Sequence, residues 1–145
     1  MLTLRHLDGS PTLETSKRWS AWLRLVRREI REYEWQLRCL TEELDQCGPQ
    51  STRCRQQARD YAAVADQVWT VTSAYGLQCR LKSYELTREA DAFHERARTL
   101  PYEMALLRRR LNRLLEIEPR LLAKQRQARA WHDAELMAWQ AMNAA

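Results

Sequence analysis

The chain contains little glycine and proline. Only three glycines and four prolines occur among 145 residues, so few positions favour a tight turn or interrupt regular structure. Sheet-rich domains need many turns, whereas Ala, Leu, Arg, Glu and Gln, which favour helices, dominate this composition. The scarcity of turn residues therefore predicts an all-α protein built from long helices.

Signals for membranes, export and zinc are also absent. No run of 18 apolar residues occurs, and the N-terminus lacks a basic region followed by an apolar core and a cleavage site. Cys39, Cys47, Cys54 and Cys79 include no Cys-x-x-Cys pair, so they are expected to act as small apolar residues in a reducing compartment. We expect a cytoplasmic protein without membrane insertion or a zinc site.

Catalytic motifs are missing as well. The chain has no glycine-rich phosphate loop and no Gly-x-Ser-x-Gly elbow. His132 with Glu135, and Asp91 with His94, each place a histidine near a carboxylate on one helical face. A metal site in a helical bundle needs two such helices and two further carboxylates, so we expect no metal, no cofactor and no enzymatic activity.

The clearest positive feature is a heptad pattern that begins at Trp19. Apolar residues follow one another at alternating spacings of four and three, which is typical of one long helix packed along a seam. These positions are Trp19, Leu23, Val26, Ile30, Tyr33, Leu37, Leu40, Leu44 and Cys47.

The segment Gly48-Pro49-Gln50-Ser51-Thr52 follows this pattern and resembles a helix break. Gly48 accepts a left-handed exit conformation, Pro49 cannot continue a helix, and Ser51 or Thr52 can cap the next one. A turn here predicts an antiparallel coiled-coil hairpin.

The hairpin defines a register of facing residues. It places Leu44 opposite Ala58 and Leu23 opposite Cys79, with large residues meeting small ones. It also places Cys47 opposite Cys54, close enough for a disulfide to form on mild oxidation.

Two interpretations are open at Pro101. In the first, Pro101 begins a third helix that folds back, packs Phe93 against Leu107 and gives a three-helix up-down-up bundle. In the second, the four-three spacing continues through the proline as a long kinked helical rod with a shorter helix packed alongside. We predict the bundle as a single helical domain over 10–145, with helices near 11–47, 52–99 and 101–142, a break near 119 and a flexible tail at 1–9.

Basic residues are concentrated at one end of the predicted bundle. The formal net charge is +5, and 21 of the 24 basic residues are arginine, which pairs with carboxylates and phosphates and stacks on aromatic rings. A solvated charged face and a binding site both explain such residues, and core packing is the default role of the six tryptophans. As a hypothesis, the partner-binding residues are Arg24, Arg27, Arg28, Arg31, Arg108, Arg109, Arg110, Arg113, Trp19 and Trp22.

The length, the Arg-rich helical composition and the antiparallel heptads from Trp19 to Cys47 resemble the small coiled-coil proteins of bacterial type III export, the flagellar FliJ and injectisome YscO group. The resemblance implies a stalk in an export ATPase ring that contacts export-gate components and chaperones. A stalk of this family with two nearly equal helices would turn near Thr72 to Gly76.

Three functions follow from these patterns. The first is a non-enzymatic helical adaptor with protein partners, of which the export ATPase stalk is the most specific form. The second is a small basic helical module that binds nucleic acid through its arginines. The third is a helical chaperone or a homo-oligomeric scaffold.

Overall fold

The computed structural model describes residues 13–67 and 73–144, which form two long helices packed against each other. Helix α1 spans Leu13–Gln67, with 55 residues, and helix α2 spans Ala74–Asn143, with 70 residues. No strand occurs in these two ranges, so the predicted all-α class is confirmed. The tail predicted at 1–9 lies outside the described residues.

The predicted seam on α1 is confirmed. All nine positions from Trp19 to Cys47 are buried or half-buried, and Leu23, Val26 and Ile30 lie in the core. The same four-three spacing then continues past Cys47 through Ser51, Cys54 and Ala58. One face of α1 is therefore buried on both sides of the predicted break.

The predicted break at Gly48-Pro49 is wrong, because α1 is helical through both residues. Both lie on the exposed side of the helix, and a Cβ added at Gly48 would meet no atom within 4 Å. An interior proline costs a helix about 3 kcal/mol. Burial of the seam on both sides of Pro49, at positions such as Cys47 and Cys54, acts against this local cost.

Helix α2 likewise continues through Pro101 and Pro119, so the third helix predicted from Pro101 and the break predicted near 119 are wrong. The alternative, in which the four-three spacing passes through Pro101 in phase, is confirmed for the helix itself. Its buried or half-buried positions recur without a gap. They are Cys79, Ser83, Leu86, Ala90, Phe93, Ala97, Leu100, Met104, Leu107, Leu111, Leu114, Glu118, Leu121, Gln125 and Ala128.

The two helices form two compact units. In what we call the second unit, residues 36–107, serine hydroxyls cross between the helices. Ser51 Oγ donates to the carbonyl oxygen of Ala90 at 3.0 Å, and Ser83 Oγ donates to that of Ala58 at 2.8 Å. Because Ala58 and Ala90 are buried and small, the backbones approach closely enough for these bonds. The pairing is antiparallel.

This pairing replaces the predicted hairpin register. Ala58 faces Ser83, whereas the predicted register placed Leu44 opposite Ala58. Cys47 and Cys54 lie seven residues apart on one face of α1, which separates them by about 10 Å along the helix and excludes a disulfide between them. All four cysteines are free. Phe93 and Leu107 lie along one helix and do not pack face to face across a turn.

The first unit contains residues 13–35 together with residues 108–144, and it has its own polar contacts between the helices. Arg27 Nε donates to Glu118 Oε1 at 2.7 Å. Gln125 Nε2 donates to Ser20 Oγ at 2.7 Å, and Ser20 Oγ donates to the carbonyl oxygen of Ser16 at 2.9 Å. These bonds satisfy polar groups that interrupt the apolar seam of α2 at Glu118 and Gln125.

In the second unit, Arg96 of α2 forms ion pairs with Glu43 of α1 and Glu103 of α2, and we call this group the arginine clamp. Arg96 Nε and Nη2 donate to the two carboxylate oxygens of Glu43 at 2.6 and 3.2 Å, and Arg96 Nη1 donates to Glu103 Oε1 at 2.6 Å. The hydrogen bond from Arg96 holds the pKa of Glu43 below its ordinary value of about 4.5, and the two carboxylates raise the pKa of Arg96.

The clamp predicts a pH-dependent effect of Glu43→Gln. Because the pKa of Glu43 is lower in the folded protein, its ionised form stabilises the fold above about pH 4.5, and this contribution disappears as the pH falls through the folded-state pKa. We expect Glu43→Gln to lower the melting temperature at about pH 7 and to lower it less at about pH 3, where more of Glu43 is protonated. Thermal unfolding followed by circular dichroism measures both values.

Glu42→Gln is the matched control, since Glu42 is the exposed neighbour of Glu43 and forms no ion pair among the described residues. It is expected to leave the melting temperature nearly unchanged at both pH values. The same pH dependence in both variants would contradict a specific role for the clamp.

Candidate partner-binding surface

An apolar depression of the first unit lies between the two helices. Its cavity volume is about 470 Å³, and we call it the tryptophan groove. It is lined by Arg18, Trp19, Trp22, Leu25, Val26 and Glu29 from α1 and by Leu114, Ile117 and Leu121 from α2. Two tryptophans and five aliphatic side chains therefore form most of its surface.

The groove exists because each helix carries a second apolar stripe beside its buried seam. On α1 the stripe contains Trp22 and Leu25, which are 49% and 57% exposed. On α2 it contains Ile117, which is 40% exposed, three residues after Leu114 and four before Leu121. Large exposed apolar side chains gathered in one concave place are typical of binding surfaces.

Basic side chains flank the groove on both helices. On α2, Arg113 and Arg120 precede and follow Ile117 by four and three residues, and Lys124 follows Leu121 by three, so all three neighbour the groove on the helix surface. On α1, Arg28 follows Leu25 by three residues. These four side chains are exposed and form no ion pair with any described residue. We call them the basic rim.

The two units differ in charge. Residues 13–35 and 108–145 contain 14 Lys and Arg against 8 Asp and Glu, whereas residues 36–107 contain 9 against 10. The net positive charge of the chain therefore lies in the first unit, which also contains the tryptophan groove.

All ten residues predicted to bind a partner lie in the first unit. Trp19 and Trp22 line the groove. Arg27 forms an ion pair with Glu118, so its charge is already paired within the protein. The other seven arginines are exposed, namely Arg24, Arg28, Arg31, Arg108, Arg109, Arg110 and Arg113. Their role in binding stays a prediction.

The residues that α2 contributes beyond Arg113 were not predicted from the sequence. Leu114, Ile117 and Leu121 form the second wall of the groove, and Arg120 and Lys124 belong to its rim. The spacing of three and four between the apolar residues was a visible signal. The break assigned to Pro119 concealed it, because it placed Ile117 and Leu121 on different segments.

No metal site is visible in the described ranges, since no three His, Cys, Asp or Glu side chains lie close enough to hold an ion. Asp91, one of the carboxylates considered for a metal, pairs with Arg55 at 3.6 Å. None of the described helical segments is apolar enough over a sufficient length to cross a membrane.

Comparison with family models, curated proteins and solved structures gives no match to this chain. The function is therefore inferred from the residues and their geometry.

Proposed function

We propose that this protein is a non-enzymatic helical adaptor, and that its most specific form is a stalk or accessory component of a bacterial type III export ATPase. The observation that carries this proposal is the position of the connection between the helices. Helix α1 ends at Gln67 and α2 begins at Ala74, so the connection separates helices of 55 and 70 residues. A stalk of two nearly equal helices in the FliJ and YscO group would turn in the same region.

The packing of the helices is proposed to be an antiparallel coiled coil. Buried positions recur at spacings of three and four on both helices, and Ala58 and Ala90 allow close approach in the second unit. The regular spacing favours side chains of one helix inserting between those of the other. A stalk needs this type of packing, because it must stay folded while its exposed faces meet a partner.

The first unit supports a role in protein binding. It combines exposed Trp22 and Leu25 with a surplus of basic residues, and tryptophan and arginine are enriched where proteins bind each other. Partners proposed on this basis are the export ATPase ring, export-gate components and chaperones.

The second candidate is a module that binds nucleic acid. The arginine surplus of the first unit favours it, since exposed arginines form bidentate contacts with phosphates. An oligomeric scaffold is a third candidate, favoured by exposed Trp131, Leu136 and Trp139 on the last turns of α2.

The test of the leading candidate is co-elution of the purified protein with the export ATPase encoded by the same organism, in size-exclusion chromatography. We expect the wild type to bind and Arg108→Glu with Arg109→Glu and Arg110→Glu to bind at least about tenfold more weakly. The helical signal and melting temperature should change little, because all three arginines are exposed.

The matched control is Arg53→Glu with Arg59→Glu and Arg88→Glu, which makes the same change of charge on exposed residues of the second unit. It should bind like the wild type. Equal losses in both triple variants would show a general effect of net charge, and failure of the wild type to co-elute would refute the export role.

A salt titration with generic double-stranded DNA and RNA separates the second candidate. Phosphate contacts require affinity to fall steeply with salt, by about 10³-fold or more between 50 and 200 mM for six contacts. Absence of binding even at low salt would exclude the nucleic-acid module.

A further inference from the structure

We propose that the tryptophan groove binds one amphipathic helix of a partner protein, a helix with an apolar stripe and acidic residues on both sides of it. This assignment of an occupant to the tryptophan groove rests on the proposed adaptor function. It does not require the partner to be an export ATPase.

The dimensions of the groove suit a short helix. Its α1 wall extends from Arg18 to Glu29, which corresponds to about 16 Å along the helix and to about three turns of a partner helix lying against it. A helix bound in a groove presents apolar residues at spacings of three, four and seven, so two or three anchors would reach the floor. Trp22, Leu25 and Ile117 offer exposed apolar surface for these anchors.

The charges around the groove favour a partner helix with acidic residues on both sides of its apolar stripe. Arg113, Arg120 and Lys124 border its α2 side, and Arg28 borders its α1 side. One acidic residue, Glu29, lines the groove itself. Four cations without an ion pair among the described residues would attract acidic residues on both flanks of an incoming helix and repel basic ones.

The same charges disfavour other occupants. A second copy bound through its own first unit would bring together two surfaces that share the same surplus of basic residues. A nucleic acid duplex would use the basic rim but would leave the exposed parts of Trp22, Leu25 and Ile117 uncovered. An acidic amphipathic helix uses both features.

The test is a titration of the 145-residue protein into a fluorescently labelled synthetic helical peptide of about 14 residues. The peptide has leucines at alternating spacings of three and four and glutamates on both flanks, and a second peptide has lysines in place of every glutamate. Fluorescence anisotropy measures both dissociation constants. We expect the glutamate peptide to bind at least about tenfold more tightly than the lysine peptide.

Variants then locate the binding site. Trp22→Ala, and separately Leu25→Ala, should weaken binding of the glutamate peptide at least about tenfold. Arg113→Glu with Arg120→Glu should reduce the preference for the glutamate peptide over the lysine peptide. Tyr84→Ala, which removes an exposed aromatic ring from the second unit, is the control and should not change binding. Circular dichroism checks that each variant stays helical, and the two groove variants cover the case in which one fails to fold.

Three results would overturn the inference. They are no binding of the glutamate peptide up to about 1 mM, equal affinity for the two peptides, and equal losses in the groove variants and in Tyr84→Ala. Self-association that is abolished by Trp22→Ala would assign the groove to a second copy. Peptide binding without co-elution of the export ATPase would refute the export role alone, and co-elution without peptide binding would refute the groove alone.

Discussion

Leu100→Ala is expected to lower the free energy of unfolding by about 2 to 5 kcal/mol, the range found when a large core side chain is truncated. Leu100 is the largest side chain with no solvent exposure in the described part of the chain. Its removal leaves a cavity beside a seam on which both helices depend, since a two-helix arrangement has no further layer that can move in to fill it. Chemical denaturation followed by circular dichroism gives the free energy.

Leu106→Ala is the matched control, because Leu106 lies on the same helix and is 51% exposed. The change of residue is the same, yet it should alter the free energy of unfolding by no more than about 0.5 kcal/mol. A loss of similar size in both variants would show that burial at the seam does not stabilise this protein.

Pro49→Ala is expected to raise the free energy of unfolding by up to about 3 kcal/mol. Pro49 lies inside α1, where it lacks an N–H for the carbonyl of Asp45 and its ring crowds that carbonyl. Gly48→Ala should add up to about 1 kcal/mol, since the new methyl group meets no atom within 4 Å. The same denaturation experiment measures both changes.

The hairpin turn predicted from the sequence requires the opposite result. Alanine at a left-handed glycine position and loss of a proline from a turn would both destabilise the protein. Gln57→Ala is the control, because Gln57 is exposed and lies further along the same helix. It should change the free energy of unfolding little. Destabilisation by Gly48→Ala would therefore contradict a continuous α1.

The ends of the helices could not be predicted from local signals. Gly48-Pro49 has the residues of a helix terminus, and Thr99-Leu100-Pro101 has the residues of a helix start, yet both segments are helical. The spacing of apolar residues contained the contrary signal, because it continues in phase from Cys47 to Cys54, one heptad further on, and from Leu100 to Met104. Turn chemistry and periodicity thus disagreed, and periodicity was correct at both places.

The candidate site was predicted in part. Trp19, Trp22 and the arginines of the first unit were identified from charge and from aromatic residues near the helix start, and the structure places them in one unit. Ile117 and Leu121 were not identified. A half-exposed apolar stripe can be recognised as one wall of a groove only when the second helix that forms the other wall is known. Binding surfaces of this kind depend on two segments that lie far apart in the chain.

The sequence by itself determined the helical class and the buried face of each helix, because composition and a spacing of three and four are local properties of the chain. The tertiary structure alone decided where the helices end and which residues face each other. Contacts such as Ser83 with Ala58 and Gln125 with Ser20 join residues 25 and 105 positions apart. Each interior proline costs about 3 kcal/mol, and burial of apolar side chains along the seam acts against this cost. That burial exists only when both helices are packed together, so the sequence of one helix alone does not show whether it continues through a proline.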